Sequence, residues 1–340
     1  MEKLLSSWCK VETVPESYVL PPERRPGRLV FPTCNSIPVI DLAGLGFNRN
    51  EVIQQILEAS QEYGFFQLIN HGVSEELMQD VLKVAKEFFD LPAEDKAGFY
   101  SDVGKSIDEC RLTHSLTYGT EQIHYWRDYF RHPCHPLEKY LELWPQNPSR
   151  YREVVGRYSV EVRKLGMRLV NLIAEGLGLE SGYFEGELSQ KQLMVLNYYP
   201  PCPDPSLVLG LPHHCDPYLL TLLSQGDVNG LQVLKDEDWL TVEPIPNAFV
   251  VNINHVLQVV SNGRLKSANH RAVTNSSVAR FSVVNFIHPT GDAHIEPAKS
   301  VINESNLALY KAFKYGDFMR TYLECTQAGS DPLQNYIMGS

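Results

Sequence analysis

The sequence predicts a mainly β protein with flanking helices: a jelly-roll core over about residues 190–290, wrapped by helices before and after it. Three observations predict this. From Gln192 onward the chain breaks into short β-type runs, LMVLNYY, LLTLLS, GLQVL, WLTVE, AFVVNI, VLQVV and RFSVVNF, punctuated by Gly, Pro, Asn and Asp. Short strands at that spacing make a sandwich or a jelly roll. Ahead of them, apolar residues recur at helical spacing. The third is size: 340 residues, 43% hydrophobic and 21% charged, bury a substantial core and are expected to act as a single unit over 1–340.

Residues 15–32, rich in Pro and Arg, read as an extended surface arm. IPVIDL (Ile37–Leu42) alternates as a strand does, and opens an N-terminal helical and β region over 37–140. Glu51–Tyr63 carries helical spacing, FFQLIN (Phe65–Asn70) is a second strand, and His71-Gly72 turns the chain. Glu75–Phe89 is amphipathic, with Leu77, Val81, Val84, Phe88 and Phe89 on one side. Residues 101–125 show little periodicity and read as a loop, a length at which loops often act as lids. Tyr151–Gly178 is a long helix stopped by Gly176 and Gly178. The tail, 300–340, reads as helical over Asn306–Cys325.

A formal net charge of −11 disfavours non-specific attraction to nucleic acid or an anionic membrane. No apolar run approaches the length of a membrane span, and no targeting signal is apparent. The seven cysteines are scattered and form no CxxC pair, which fits a reducing, cytoplasmic setting. Nothing in the chain calls for an obligate protein partner.

The residues that carry chemistry lie in the β region. His214 and Asp216 flank Cys215 at i and i+2, so imidazole and carboxylate can turn to one metal. With His270 they make a two-histidine, one-carboxylate set. Such a set leaves three positions of an octahedron open, which suits Fe(II) with a chelating 2-oxo acid and O2 better than a closed zinc site. HxD alone is a weak signal, and a hydrogen-bonded strand histidine is the plain alternative for His214. Arg280 and Ser282 also share a strand face, a guanidinium fork plus a hydroxyl suited to a carboxylate. By itself that pair reads rather as a surface arginine with a polar neighbour; its place ten residues after His270, at the end of the same β region, turns the reading toward the cradle.

These motifs, with GFFQLINHGV (64–73), NYYPPCP (197–203), GLPHHCDPYLLTLL (210–223) and SNGRLKSANHRAV (261–273), resemble the plant 2-oxoglutarate- and iron(II)-dependent dioxygenases in the same order over nearly the whole chain. The resemblance implies a double-stranded β-helix core of the cupin-like type. It implies Fe(II) on His214, Asp216 and His270, and 2-oxoglutarate on Arg280, Ser282, Tyr199 and Asn197, with ascorbate as reductant. Bottom-up, Tyr199 reads as a core aromatic. Two positions depart from the family: Cys215 stands where many relatives have Thr, and Asn254-His255 where many have Gly-Asp. His255 therefore reads as a substrate contact or as a loop residue, while His213 is expected to face away from the metal. His71 resembles a structural residue of the family.

Within the family, Trp144–Leu169 and EGLGLESGYFEGELSQ are most similar to the hyoscyamine 6β-hydroxylase-like branch, which implies hydroxylation of an alkaloid-like amine. YWRDYF (125–130) is similar to hydroxylases of flavonoids and salicylate. Tyr118, Tyr125 and Phe286 are candidate pocket walls, and Glu121 a candidate anion for a protonated amine, a group that needs a partner once it leaves water. Each aromatic also reads as core packing, and Glu121 as a solvated loop carboxylate. Two other functions compete with a 2-oxoglutarate-dependent hydroxylase: an oxidase of the same fold that uses no 2-oxoglutarate, and a small-molecule binding protein without catalysis.

Overall fold

A computed structural model describes residues 4–8, 11–26, 37–102, 106–115, 121–328 and 330–339. Its helices are α1 (Leu5–Trp8), α2 (Arg49–Glu62), α3 (Glu75–Asp90), α4 (Ala93–Lys96), α5 (Leu137–Tyr140), α6 (Tyr151–Leu177), α7 (His255–Val260) and α8 (Tyr315–Ala328). The strands of its two main sheets are β1 (Val39–Asp41), β2 (Phe65–Ile69), β3 (Arg111–His114), β4 (Asp128–His135), β5 (Lys191–Tyr199), β6 (Leu211–His214), β7 (Leu220–Ser224), β8 (Leu231–Lys235), β9 (Asp238–Thr241), β10 (Phe249–Ile253), β11 (His270–Ala272) and β12 (Arg280–His288). The large sheet runs β1-β2-β10-β7-β12-β5-β4-β3, and the small one β6-β11-β8-β9.

Register decides which side chains meet. In the large sheet Arg280 pairs with Tyr199, Ser282 with Asn197, Val284 with Val195 and Leu223, and Phe286 with Leu193 and Thr221. Thr221 in turn pairs with Asn252, and Asn252 with Phe65, while Asn197 pairs with Tyr129 and Tyr129 with Thr113. Side chains alternate between faces, so all of these share the face turned toward the small sheet. The opposite face is apolar and carries the helices. Phe88 of α3 packs at a tilt against Phe130 (ring centroids 4.6 Å apart), and Phe89 stacks against Tyr198 (5.4 Å). Truncating a fully buried Phe such as Phe88 to Ala costs about 3–5 kcal/mol.

Local chemistry sets the ends. Ser74 caps α3 by accepting from Leu77 N at 3.3 Å, and Glu75 and Glu76 complement its N-terminal dipole. Helix α6 stops at Gly178, where φ is 71° and the N–H returns to the Ala174 and Glu175 carbonyls. His71 accepts from Val73 N at Nδ1 (3.2 Å) and donates from Nε2 to Asn247 O (2.8 Å), fixing the turn after β2.

Four expectations change. VLQVV is not a strand but most of α7: a short apolar run has no decisive period, and here it is buried in the main core. Residues 101–125 are not wholly loop, because β3 pairs with β4 there. The arm does not simply lie on the surface. Tyr18 and Leu20 are buried, and Tyr18 and Trp8 pack edge-on to Trp126 (5.3 and 5.9 Å). The buried Asp128 carboxylate accepts from Leu5 N (2.9 Å) and Ser6 N (2.7 Å), and His124 N donates to Ser17 O. Lastly, the tail helix starts at Tyr315, later than Asn306. No helix among the described residues is long and apolar enough to cross a membrane.

Candidate active site

Strands β6 and β11 are neighbours, and their register sets His214 directly opposite His270. Strand β6 ends at His214, and the following turn brings Asp216 back to both rings. His214 Nε2 lies 3.5 Å from Asp216 Oδ1, and His270 Nε2 lies 3.8 Å from Asp216 Oδ2. One donor atom from each residue falls within 4.8 Å of the others, the one such group among the described residues. The histidine tautomers follow from their partners. His214 Nδ1 meets Pro212 O at 2.9 Å and His270 Nδ1 meets Ala268 O at 3.2 Å. A carbonyl only accepts, so each Nδ1 carries the proton and each Nε2 turns a lone pair to the common point.

Charge states agree with metal ligation. Burial, helped by His214, holds His270 down to about 4, so it stays neutral. Burial raises the Asp216 carboxyl, but His270, His214 and Thr221 together hold it well below the usual carboxylate range. Two imidazoles held at Nδ1 by backbone carbonyls and one carboxylate make a donor set suited to Fe(II).

Asp216 is held from behind. Its Oδ2 accepts from Thr221 Oγ1 (2.7 Å) and from Asn252 Nδ2 (3.1 Å), and its carbonyl from His255 N (3.0 Å). Sequence reasoning missed Thr221 and Asn252. Their signal was a lone polar residue inside the apolar runs LLTLL and FVVNI. Cys215 points elsewhere: its thiol donates to Ser267 O at 3.4 Å, and its carbonyl accepts from Tyr322 of α8 at 3.0 Å. His213 is exposed, with its ring 6.4 Å from Trp239.

On the same face of the large sheet, β12 and β5 bring Arg280, Ser282, Tyr199 and Asn197 together. Arg280 is 3% exposed, donates from Nε to Val228 O (3.1 Å), and sits 5.2 Å from the Tyr199 ring centroid. Among the described residues no carboxylate forms an ion pair with it, and a buried guanidinium calls for an anion. The cradle is cut close. A Cβ on Gly210 would stand 2.5 Å from the Tyr199 ring, and one on Gly230 2.7 Å from Arg280 Cδ. A buried guanidinium beside a hydroxyl has the chemistry to receive a carboxylate such as those of 2-oxoglutarate.

The substrate-side expectations divide. Phe286 lies on the inner face, half-buried, 4.3 Å from Tyr218, which follows the metal turn. Tyr125 is buried, and its hydroxyl accepts from Arg24 at 2.8 Å, so it is tied to the arm. Glu121 is not a solvated loop carboxylate: it pairs with His124 Nδ1 at 2.9 Å and its side chain is 10% exposed. His255 is buried against Phe318 and Tyr322 (5.7 and 6.2 Å), so its ring faces α8. Tyr118 lies outside the described residues. Not foreseen were three arginines, Arg111, Arg127 and Arg131, on or beside the inner-face positions of β3 and β4.

Comparison with known proteins agrees with this geometry. The family model of the 2OG-Fe(II) oxygenase superfamily matches residues 190–289, and that of the non-haem dioxygenase in morphine synthesis N-terminal region matches 37–147. Hyoscyamine 6-dioxygenase of Hyoscyamus niger is 44% identical over 95% of each chain. Flavanone 3-dioxygenase 2 of Oryza sativa subsp. japonica is 43% identical over 92% of this chain and 90% of its own. The crystal structure of JOX2 in complex with 2OG, Fe and JA superposes with a TM-score of 0.85 at 33% identity, covering 96% of this chain and 95% of that one. The chain belongs to the 2-oxoglutarate- and Fe(II)-dependent oxygenases of plants, and is an oxidoreductase of that family.

Proposed function

We propose that this enzyme hydroxylates a small plant specialised metabolite, consuming O2 and 2-oxoglutarate and releasing succinate and CO2. His214, Asp216 and His270 would hold Fe(II), and Arg280, Ser282, Tyr199 and Asn197 would hold 2-oxoglutarate. The observation that carries the reading is the pairing of the Nε2-bared triad with a buried Arg280 that lacks a carboxylate partner among the described residues. When bound, Fe(II) with 2-oxoglutarate and O2 supplies the oxidising power. The chain's own part is to bind and orient. The two Nδ1 hydrogen bonds aim the imidazoles, Thr221 and Asn252 hold the carboxylate, and Arg280 fixes the co-substrate's far end. Phe286 and Tyr218 offer an aromatic wall beside the triad that would seat the substrate and exclude water.

An alkaloid-like amine is the first substrate proposed, supported by the 44% identity to hyoscyamine 6-dioxygenase. Glu121 would then have to serve both the amine and His124. A second reading, a phenolic or acidic substrate, is favoured by Arg111, Arg127 and Arg131 near the inner face. The proposal also takes the chain as one catalytic unit in the cytoplasm, with ascorbate keeping the iron reduced and with no obligate protein, nucleic-acid or membrane partner.

The test is a panel of amine alkaloids, flavonoids, salicylate and coumarin precursors with Fe(II), ascorbate and 2-oxoglutarate, following substrate-stimulated succinate. Product without succinate would identify a 2-oxoglutarate-independent oxidase. Tight binding without turnover by metal-loaded protein would identify a binding protein. Succinate driven by phenolics or acids alone would remove the amine.

A further inference from the structure

Arg127, the arginine of YWRDYF, stands just before β4 and has been given no role in the site so far. Its guanidinium is buried (6% exposed). Nη1 donates to Asn197 Oδ1 at 3.2 Å, Nη2 donates to Ser115 O at 3.1 Å, and the group lies 4.4 Å over the Tyr129 ring. Asn197, itself 3% exposed, passes the contact on: its Nδ2 donates to Ser282 Oγ at 3.3 Å. The three residues form a buried line from β4 across β5 to β12.

We propose that Arg127 is a positioning residue that sets the direction of the Ser282 hydroxyl toward the co-substrate. The inference rests on the reading that Arg280 and Ser282 receive a carboxylate of 2-oxoglutarate. A guanidinium has donors and no acceptor, so it admits only the oxygen side of the Asn197 amide. The NH2 side must then face Ser282. A hydroxyl that accepts from Asn197 keeps its own proton free, and an ionised carboxylate needs that proton. Without Arg127 the amide can turn over. Its oxygen would then face Ser282 and draw the hydroxyl proton away, leaving oxygen lone pairs against the carboxylate. Arg127 thus acts two hydrogen bonds away, by fixing polarity rather than by contact.

The test is a double-mutant cycle on the affinity for 2-oxoglutarate, read anaerobically from the charge-transfer absorption of the Fe(II)-loaded enzyme and from calorimetry with N-oxalylglycine. Arg127→Met is expected to weaken binding about tenfold or more, since a hydrogen bond to a charged group is lost in effect. In the Ser282→Ala background the same change is expected to cost about twofold or less, because coupled groups are non-additive. Arg127→Lys, which also only donates, is expected to recover most of the loss. Asn197→Asp, which must take the Ser282 proton, is expected to behave like Arg127→Met. Equal losses in both backgrounds, or none, would overturn the proposal and leave Arg127 a packing residue. Arg280→Ala is the control: if it binds 2-oxoglutarate normally, the co-substrate reading itself fails, an outcome distinct from failure of the cycle.

Discussion

Thr221 Oγ1 lies 2.7 Å from Asp216 Oδ2, a bond between the large sheet and the turn that leaves the small one. It ties the carboxylate proposed to face the metal to a strand buried on both faces. Thr221→Val keeps the shape and removes the donor. Loss of a hydrogen bond behind a ligand lowers metal affinity about 10–100-fold, so a fall of that size is expected in Fe(II) titrations, with circular dichroism unchanged. Full affinity in the variant would mean that Asn252 alone suffices.

The register of β6 makes neighbouring histidines unequal. His214→Ala or Asp216→Ala is expected to abolish turnover and iron binding while the fold persists. His213→Ala, at an exposed site, is expected to bind iron as the parent does. Iron content after dialysis distinguishes them, and the reverse pattern would place the ligand one residue earlier.

Arg280 and Ser282 differ in what they leave behind. Removing one partner of a buried charge pair costs about 3–5 kcal/mol, so Arg280→Ala should raise the 2-oxoglutarate KM by orders of magnitude. Ser282→Ala removes one charge-assisted bond, about 1.5–3 kcal/mol, and its rise in KM should be smaller. Steady-state succinate formation against 2-oxoglutarate concentration measures both.

Gly210 faces the rigid Tyr199 ring, which has no flexible end to give way. Gly210→Ala is expected to displace the ring and to raise the 2-oxoglutarate KM while metal affinity stays as it was. An unchanged KM would show that the β5–β6 connection shifts instead of the ring.

Asp128 makes stability depend on pH. Burial pushes its carboxyl from 3.8 up to about 6, against the pull of the Ser6 and Leu5 N–H groups and of Lys96. The folded state therefore binds the proton more tightly than the unfolded one. Its contribution is greatest below pH 3.8 and is lost as pH rises toward about 6, by roughly 3 kcal/mol in all. Urea denaturation of the parent and of Asp128→Asn should show the parent losing ground to the variant over that window. A constant difference would mean that the carboxyl titrates at its ordinary value.

Much of the site was legible because its chemistry is compact in sequence. HxD is three residues and RFS lies ten beyond His270, signals weak alone that became readable as a candidate site through the ordered family motifs around them. Thr221, Asn252 and Arg127 were not legible, since each acts through a side-chain partner that only the folded chain brings within hydrogen-bond distance. Asn252 reaches Asp216 across 36 positions and Arg127 reaches Asn197 across 70. The misread of α7 has the same origin: VLQVV has β-branched residues, and only its burial between neighbours makes it a helix. The regular helices α2, α3 and α6 were read well because two or more turns of amphipathic spacing leave no competing period.

The family match begins at residue 37, yet the described part of the chain ahead of it is stitched into the interior. Leu5 and Ser6 satisfy a carboxylate on β4, Trp8 and Tyr18 cover Trp126, and Arg24 holds the hydroxyl of Tyr125. A boundary drawn from sequence similarity thus falls inside a physical unit. A protein trimmed to Ile37 would bare an indole, orphan a charge and release the segment that leads into Arg127. Leading peptides exchanged between relatives would therefore be transplants of part of the packed interior, not of a handle.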